Sequence, residues 1–134
     1  PAEPGTKELD GVKILLVEDN SLNTEISDIM LTTEGACVVK ATNGEEAVKL
    51  FADSAPGEIR VILMDVMMPV MDGLQATREI RALERADARS VPIIAMTANA
   101  YDDDVERALE AGMNEYIAKP VEKRKLIDIV KKFL

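Results

Sequence analysis

Polar residues that could do chemistry stand at the ends of apolar runs. Glu18 and Asp19 follow Val12–Val17, Asp65 follows Ile59–Met64, Thr97 ends Val91–Thr97, and Lys119 follows Asn114–Ala118. Three carboxylates brought together repel, so a cation must sit among them or their pKa values must rise. Ligands that offer only oxygen suit Mg2+, which keeps some of its water and takes phosphate oxygens as further ligands. Lys119 would add a point charge for a phosphoryl group, and Thr97 a hydroxyl donor. A carboxylate can attack phosphorus and give an aspartyl phosphate, and Asp65, on the central strand, is the best placed nucleophile.

Each residue also has an ordinary explanation. Glu18 and Asp19 could cap a helix, Asp65 could be a turn residue, and Lys119 before Pro120 a surface lysine. Independent caps and turns have no reason to share one edge, so these explanations weaken jointly.

Composition narrows the chemistry further. The chain has 134 residues, 47% of them hydrophobic, enough for one domain with a real core. Its 16 basic and 25 acidic residues leave a formal charge of −9, which disfavours direct contact with nucleic acid or anionic lipid and favours cations or basic partners. There is no histidine, which removes the Ser-His-Asp triad, histidine bases and most zinc sites, and means the chain cannot itself carry a phosphohistidine. The single cysteine, Cys37, fits a reducing compartment, so a cytoplasmic location is expected. It reads as a core filler on the second strand. No apolar run approaches the ~18 residues of a membrane helix.

The elements that must position these groups alternate. Between the apolar runs, and after a short strand at Ala36–Ala41, lie helical periods. Leu22, Ile26, Ile29, Met30 and Thr33 define the first, stopped by Gly35. Asn43-x-x-Glu46 resembles a capping box and opens a helix with Ala47, Val48 and Phe51 inward. Asp72 can cap a helix carrying Leu74, Thr77, Ile80 and Leu83. Val105, Ala108 and Leu109 make a fourth helix, closed by Gly112. Leu126, Ile127, Val130, Phe133 and Leu134 define a fifth. Strand and helix alternating five times predict a parallel sheet covered by helices on both faces. In such sheets ligands bind outside the carboxyl ends of the strands, where the polar residues fall.

Together, Val17-Glu18-Asp19-Asn20, Asp65-Val66-Met67-Met68-Pro69-Val70-Met71-Asp72-Gly73, Met96-Thr97-Ala98 and Tyr116-Ile117-Ala118-Lys119-Pro120 resemble the receiver domain of two-component response regulators, from about Val12 to Leu134. The resemblance implies a flavodoxin-like (βα)5 fold with strand order 2-1-3-4-5. It implies that Asp65 is the phosphoacceptor and that Asp19, Glu18, Asp65 and the backbone carbonyl of Met67 hold Mg2+. Thr97 would be the switch hydroxyl, Tyr116 the aromatic that moves with it, and Lys119 the partner of a phosphoryl oxygen. Lys119-Pro120 would be a cis peptide that aims the lysine inward. Met67 and Asn99, two positions beyond Asp65 and Thr97, would flank the path of the hydrolytic water. The donor would be a phosphohistidine on a histidine kinase or histidine phosphotransfer domain, including a kinase core in the same chain.

Rival functions lack matching residues. An aspartyl-nucleophile phosphatase wants a second Asp two residues after the nucleophile, where Met67 stands. A flavodoxin wants a hydroxyl- and Gly-rich phosphate loop, not Glu-Asp-Asn. A non-phosphorylated pseudo-receiver would be expected to lose one of the key residues, all of which are present. Residues 1–11, with two prolines and two glycines, read as a linker or leader before a phosphoacceptor domain at 12–134. The chain begins at Pro1, which suggests a piece of something longer. The wording VEDNSLN, MTANA and AGMNEYIAKPV is most like receivers of hybrid sensor kinases, which would tether the domain to a membrane sensor. A single-domain regulator is the alternative. Asp102-Asp103-Asp104 reads as favourable charge at a helix N-terminus, Glu122-Lys123-Arg124-Lys125 as a solvated face, and Met67, Met68 and Met71 as packing around the site.

Overall fold

A two-residue alternation divides each strand between two faces of one sheet. Leu15 and Val17 enter one core with Ile62, Met64, Ile93 and Ala95. Ile14 and Leu16 enter the other with Val61, Leu63, Ile94 and Met96. Strands apolar on both faces are stable only between two layers of helices, and that is what the chain builds. The computed structural model describes residues 8–66, 68, 70–98 and 102–134, without the side chains of 102–104.

The order is β1 (Lys13–Val17), α1 (Ser21–Thr32), β2 (Cys37–Ala41), α2 (Gly44–Asp53), β3 (Val61–Asp65), α3 (Gly73–Arg81), β4 (Ile93–Thr97), α4 (Asp102–Ala111), β5 (Glu115–Ala118) and α5 (Lys123–Lys132). The sheet is parallel throughout, in the order β2-β1-β3-β4-β5. Phe51, Ala76, Ile80 and Ala108 place α2, α3 and α4 on one face. Leu31, Leu126, Ile127 and Val130 place α1 and α5 on the other. The expected alternation and strand order are both present. Among the described residues, no helix is long and apolar enough to cross a membrane.

Caps set the helix starts. Asn43 Oδ1 accepts from Glu46 N–H at 2.8 Å, and Asp72 Oδ1 from Gln75 N–H at 2.8 Å. The Glu46 carboxylate accepts from the Thr42 hydroxyl. Asp102-Asp103-Asp104 does open α4.

Three expectations need correction. Leu22, Ile26 and Ile29 are exposed, by 63, 42 and 64%; α1 buries Ser27 and Leu31 instead. A short side chain at Ser27 lets the helix approach the sheet, and the more apolar stripe is turned to solvent. Leu109 on α4 is likewise exposed. Cys37 is exposed at the open start of an edge strand and fills no core. Finally, the folded unit reaches back to Glu8. Leu9 is fully buried against the α1–α5 layer, and its N–H bonds to Glu34 O at 2.9 Å. The Glu8 carboxylate is gripped by Arg124 at 2.9 and 3.1 Å and by Lys131 at 2.9 Å. Residues 1–7 lie outside the described residues.

Candidate phosphoacceptor and metal site

Parallel strands deliver their last side chains to one edge. Asp65 ends β3 opposite Met96, and Thr97 ends β4 opposite Ala118. Glu18 stands one step past β1, its N–H bonded to Ala41 O at 3.1 Å. Lys119 stands one step past β5, its N–H bonded to Thr97 O at 2.8 Å. The Lys119–Pro120 peptide is cis, as expected.

The side chains converge. Lys119 Nζ donates to Asp65 Oδ2 at 2.8 Å and lies 2.8 Å from Glu18 Oε2. Glu18 and Asp65 are buried, whereas Asp19 is exposed at the rim. One carboxylate oxygen from each of Glu18, Asp19 and Asp65 lies within 4.8 Å of the others. Burial pushes the Glu18 carboxyl up, but the Lys119 ammonium and the Asn20 N–H outweigh it and hold the group below the usual range. For Lys119, too, burial opposes the charge, and bonds to Asp65 and Glu18 outweigh it, so its pKa rises. One lysine therefore offsets part of the repulsion expected among the acids. The set remains three close, oxygen-only ligands with a net negative charge, which fits a hard divalent cation.

The capping explanation for Glu18 and Asp19 fails, because Asn20 is the N-cap of α1 and accepts from Asn23 N–H at 3.0 Å. Thr97 is buried, while Tyr116 is 37% exposed beside α5. Met67 and Asn99 lie outside the described residues. The Glu122-Lys123-Arg124-Lys125 run is solvent-facing and internally paired: Lys123 reaches Glu34, Arg124 reaches Glu8 and Asp128, and Lys125 reaches Glu122.

The loop that follows Asp65 carries two backbone constraints. At Gly73 a Cβ would lie 2.2 Å from Asp65 O, so only glycine lets α3 start against the end of that strand. Val70, 78% exposed, has φ 69°, a left-handed conformation unfavourable for a β-branched residue.

Sequence reasoning missed the surface next to this cleft. Asn23, Ile26 and Ser27 of α1 line a cavity of about 80 Å³ together with Glu18, Lys119 and Pro120. Of the exposed Leu22, Ile26 and Ile29, Ile26 thus borders the reactive edge, and the other two extend the same helix. Their spacing of four and three residues marked a helical face, but not whether that face was covered.

The profile of the response regulator receiver domain matches residues 14–131. A probable histidine kinase 2 of Oryza sativa subsp. indica is 40% identical over 133 residues, covering 91% of this chain and 13% of that protein. Sensor protein GacS of Pseudomonas syringae pv. syringae is 38% identical over 122 residues, covering 90% of this chain and again 13% of the relative. The chain thus spans only about an eighth of these relatives. Among solved structures, the receiver domain of a sensor histidine kinase from Pseudomonas aeruginosa PAO1, with a magnesium ion coordinated in its active site cleft, is 45% identical with a TM-score of 0.83, covering 92% of this chain and 97% of that one. The receiver domain of Ssk1, solved with the histidine phosphotransfer protein Ypd1 of Saccharomyces cerevisiae, is similar with 29% identity and a TM-score of 0.82, covering 93% of this chain and 90% of that one.

Proposed function

The chain belongs to the response regulator receiver domain family, and from that membership we propose that Asp65 accepts a phosphoryl group from a phosphohistidine. The carrying observation is the placement of Lys119 Nζ, 2.8 Å from the carboxylates of both Asp65 and Glu18, at the edge where Asp19 also stands. A carboxylate oxygen of Asp65 forms the new O–P bond as the N–P bond of the donor breaks. The donor imidazole keeps the electron pair and takes up a proton. Lys119 orients the acceptor and then answers charge on the transferred group, a role in which positioning and electrostatics carry the catalysis.

Glu18, Asp19 and Asp65, with the carbonyl of Met67, would hold Mg2+. Bound there, the ion neutralises charge on the phosphoryl oxygens. Thr97 would donate its hydroxyl to a phosphoryl oxygen, and Tyr116, now partly exposed, would turn inward as Thr97 moves. Met67 and Asn99 would border the water that later hydrolyses the acyl phosphate.

The donor docks, in this reading, on the exposed apolar face of α1, because Ile26 lines the cavity beside Glu18 and Lys119 and the exposed Leu22 and Ile29 lie three to four residues from it on the same helix. It is a histidine phosphotransfer domain or histidine kinase. Relatives that are whole kinases favour a hybrid sensor kinase as parent, with a single-domain regulator as the alternative.

The test is intact mass after incubation with a small acyl phosphate and Mg2+. One phosphoryl group is expected on the native chain, and none on Asp65→Asn or without Mg2+. Equal uptake by the variant overturns the assignment.

A further inference from the structure

Arg81, the last residue of α3, reaches over the turn between α4 and β5. Its Nε and Nη2 donate to Gly112 O at 3.0 and 2.8 Å, Nη2 also to Asn114 Oδ1 at 2.8 Å, and Nη1 to Ala88 O at 3.1 Å. All four bonds go to neutral oxygens, so the guanidinium binds backbone geometry and not an opposing charge. Asn114 extends the tie. Its Oδ1 also accepts from Ile93 N–H at 2.9 Å, and its own N–H donates to Ile93 O at 2.8 Å. Gly112 closes the joint: its φ is 109°, and a Cβ there would stand 3.1 Å from Arg81 Cγ. One side chain therefore fastens the end of α4 and the start of β5 to α3 and to the foot of β4.

The opposite end of α4 begins at Asp102, five residues of chain after Thr97, the last residue of β4. We propose that Arg81 is a positioning residue that holds the C-terminal end of α4 in place, so that movement started at Thr97 turns the helix about the Arg81–Gly112 joint. This rests on the phosphoacceptor reading above and adds to it both a turn of α4 and the point about which it turns. The helix has 10 residues and is about 15 Å long, so a shift of about 2 Å at its start becomes a turn of about 8° about its fixed end. An unanchored helix could translate bodily and carry the start of β5 with it.

Hydrogen exchange of the whole chain tests this, with Mg2+ and beryllofluoride as the phosphoryl mimic. In the native chain, beryllofluoride should change exchange about tenfold at residues 105–107 and less than about threefold at 110–114. In Arg81→Met the change should spread to 110–114, while the rate of Asp65 phosphorylation stays within about threefold of native. Arg81→Lys, which keeps the charge without the fork, should spread it partly. An equal change along the helix in the native chain overturns the proposal, as does a native pattern in Arg81→Met. If the native chain neither gains phosphoryl mass nor responds to beryllofluoride, the phosphoacceptor reading falls. The anchor is then judged without the mimic: Arg81→Met must raise exchange at 110–114 about tenfold more than at 105–107, and a uniform rise overturns it.

Discussion

Lys119 Nζ meets Asp65 Oδ2 at 2.8 Å across 54 residues of sequence, and the same ammonium lies 2.8 Å from Glu18. Two buried carboxylates therefore share one counter-charge that is itself about one-fifth exposed. The lysine serves the resting domain as well as the reaction, because without it two acids would be buried beside each other.

Replacing Lys119 by methionine should therefore destabilise the metal-free domain. Removing one partner of a fully buried pair costs about 3–5 kcal/mol, and partial exposure reduces this to about 1–3 kcal/mol. For a domain of this size that is a fall of roughly 3–15 °C in Tm. Mg2+ should raise the Tm of the variant more than that of the native chain, since it answers the charge that Lys119 no longer offsets. Thermal melts with and without Mg2+ decide it, and an unchanged metal-free Tm counts against the shared role of Lys119.

Asp19→Asn should act in the opposite direction. Asp19 is exposed and adds a third negative charge beside a pair that Lys119 offsets only in part. Its removal should raise metal-free stability by no more than about 1 kcal/mol, because solvent screens an exposed charge. The same change should abolish most of the Mg2+-induced rise in Tm, since a ligand is lost. A variant that keeps the full Mg2+ response would place the ion elsewhere.

The strand ends were legible in the sequence because burial on both faces forces continuous apolar runs, and each run stops where a polar side chain reaches the sheet edge. Glu18, Asp65, Thr97 and Lys119 are read that way. The face of α1 was not, since Leu22, Ile26 and Ile29 repeat as regularly as a buried stripe would, and only Ser27 hints at the side that approaches the sheet. Leu9 was hidden inside a polar, Pro- and Gly-containing stretch. Arg81 left no local trace, because its acceptors at Gly112 lie 31 residues away.

The segment before β1 gives a pH prediction. Bonds from Arg124, then from Lys131, hold the Glu8 carboxyl down at about 2, below its ordinary 4.5. A depressed acid contributes stability that is fully present above its unfolded pKa and is lost as pH falls through its folded one. The stability difference between the native chain and Glu8→Gln should thus be constant above about pH 4.5 and vanish towards pH 2. The Glu8 carboxyl carbon, followed by NMR, should titrate well below the solvated glutamates. A midpoint near 4.5 would mean the grip of Arg124 and Lys131 does not persist in solution.

Gly73→Ala should damage the site from behind. The new Cβ would fall 2.2 Å from Asp65 O, so either α3 or the end of β3 must shift. Overpacking of this kind costs about 1–3 kcal/mol and moves backbone. Phosphoryl uptake from a small donor should therefore drop even at temperatures where circular dichroism shows the variant folded. Native uptake in a folded variant would mean the clash is absorbed by α3 alone.

The α1 face separates docking from chemistry. Leu22 and Ile29 are 63 and 64% exposed, so replacing both by serine removes little buried area and should change stability by less than about 0.5 kcal/mol each. Neither touches the ion pair of Lys119 with Asp65, so labelling by a small acyl phosphate should stay within about twofold of native. Transfer from a phosphorylated histidine phosphotransfer protein should suffer, because central apolar contacts at an interface are each worth about 1–2 kcal/mol, and two together reduce transfer about 30-fold or more at subsaturating donor. Raising the donor concentration should restore the rate, since the loss is in encounter and not in the phosphoryl step. If both donors slow equally, the substitutions have disturbed Asp65 through the small cavity shared by Ile26, Ser27 and Lys119. If neither slows, the histidine-bearing partner approaches Asp65 from another side, and the apolar face of α1 serves a different contact.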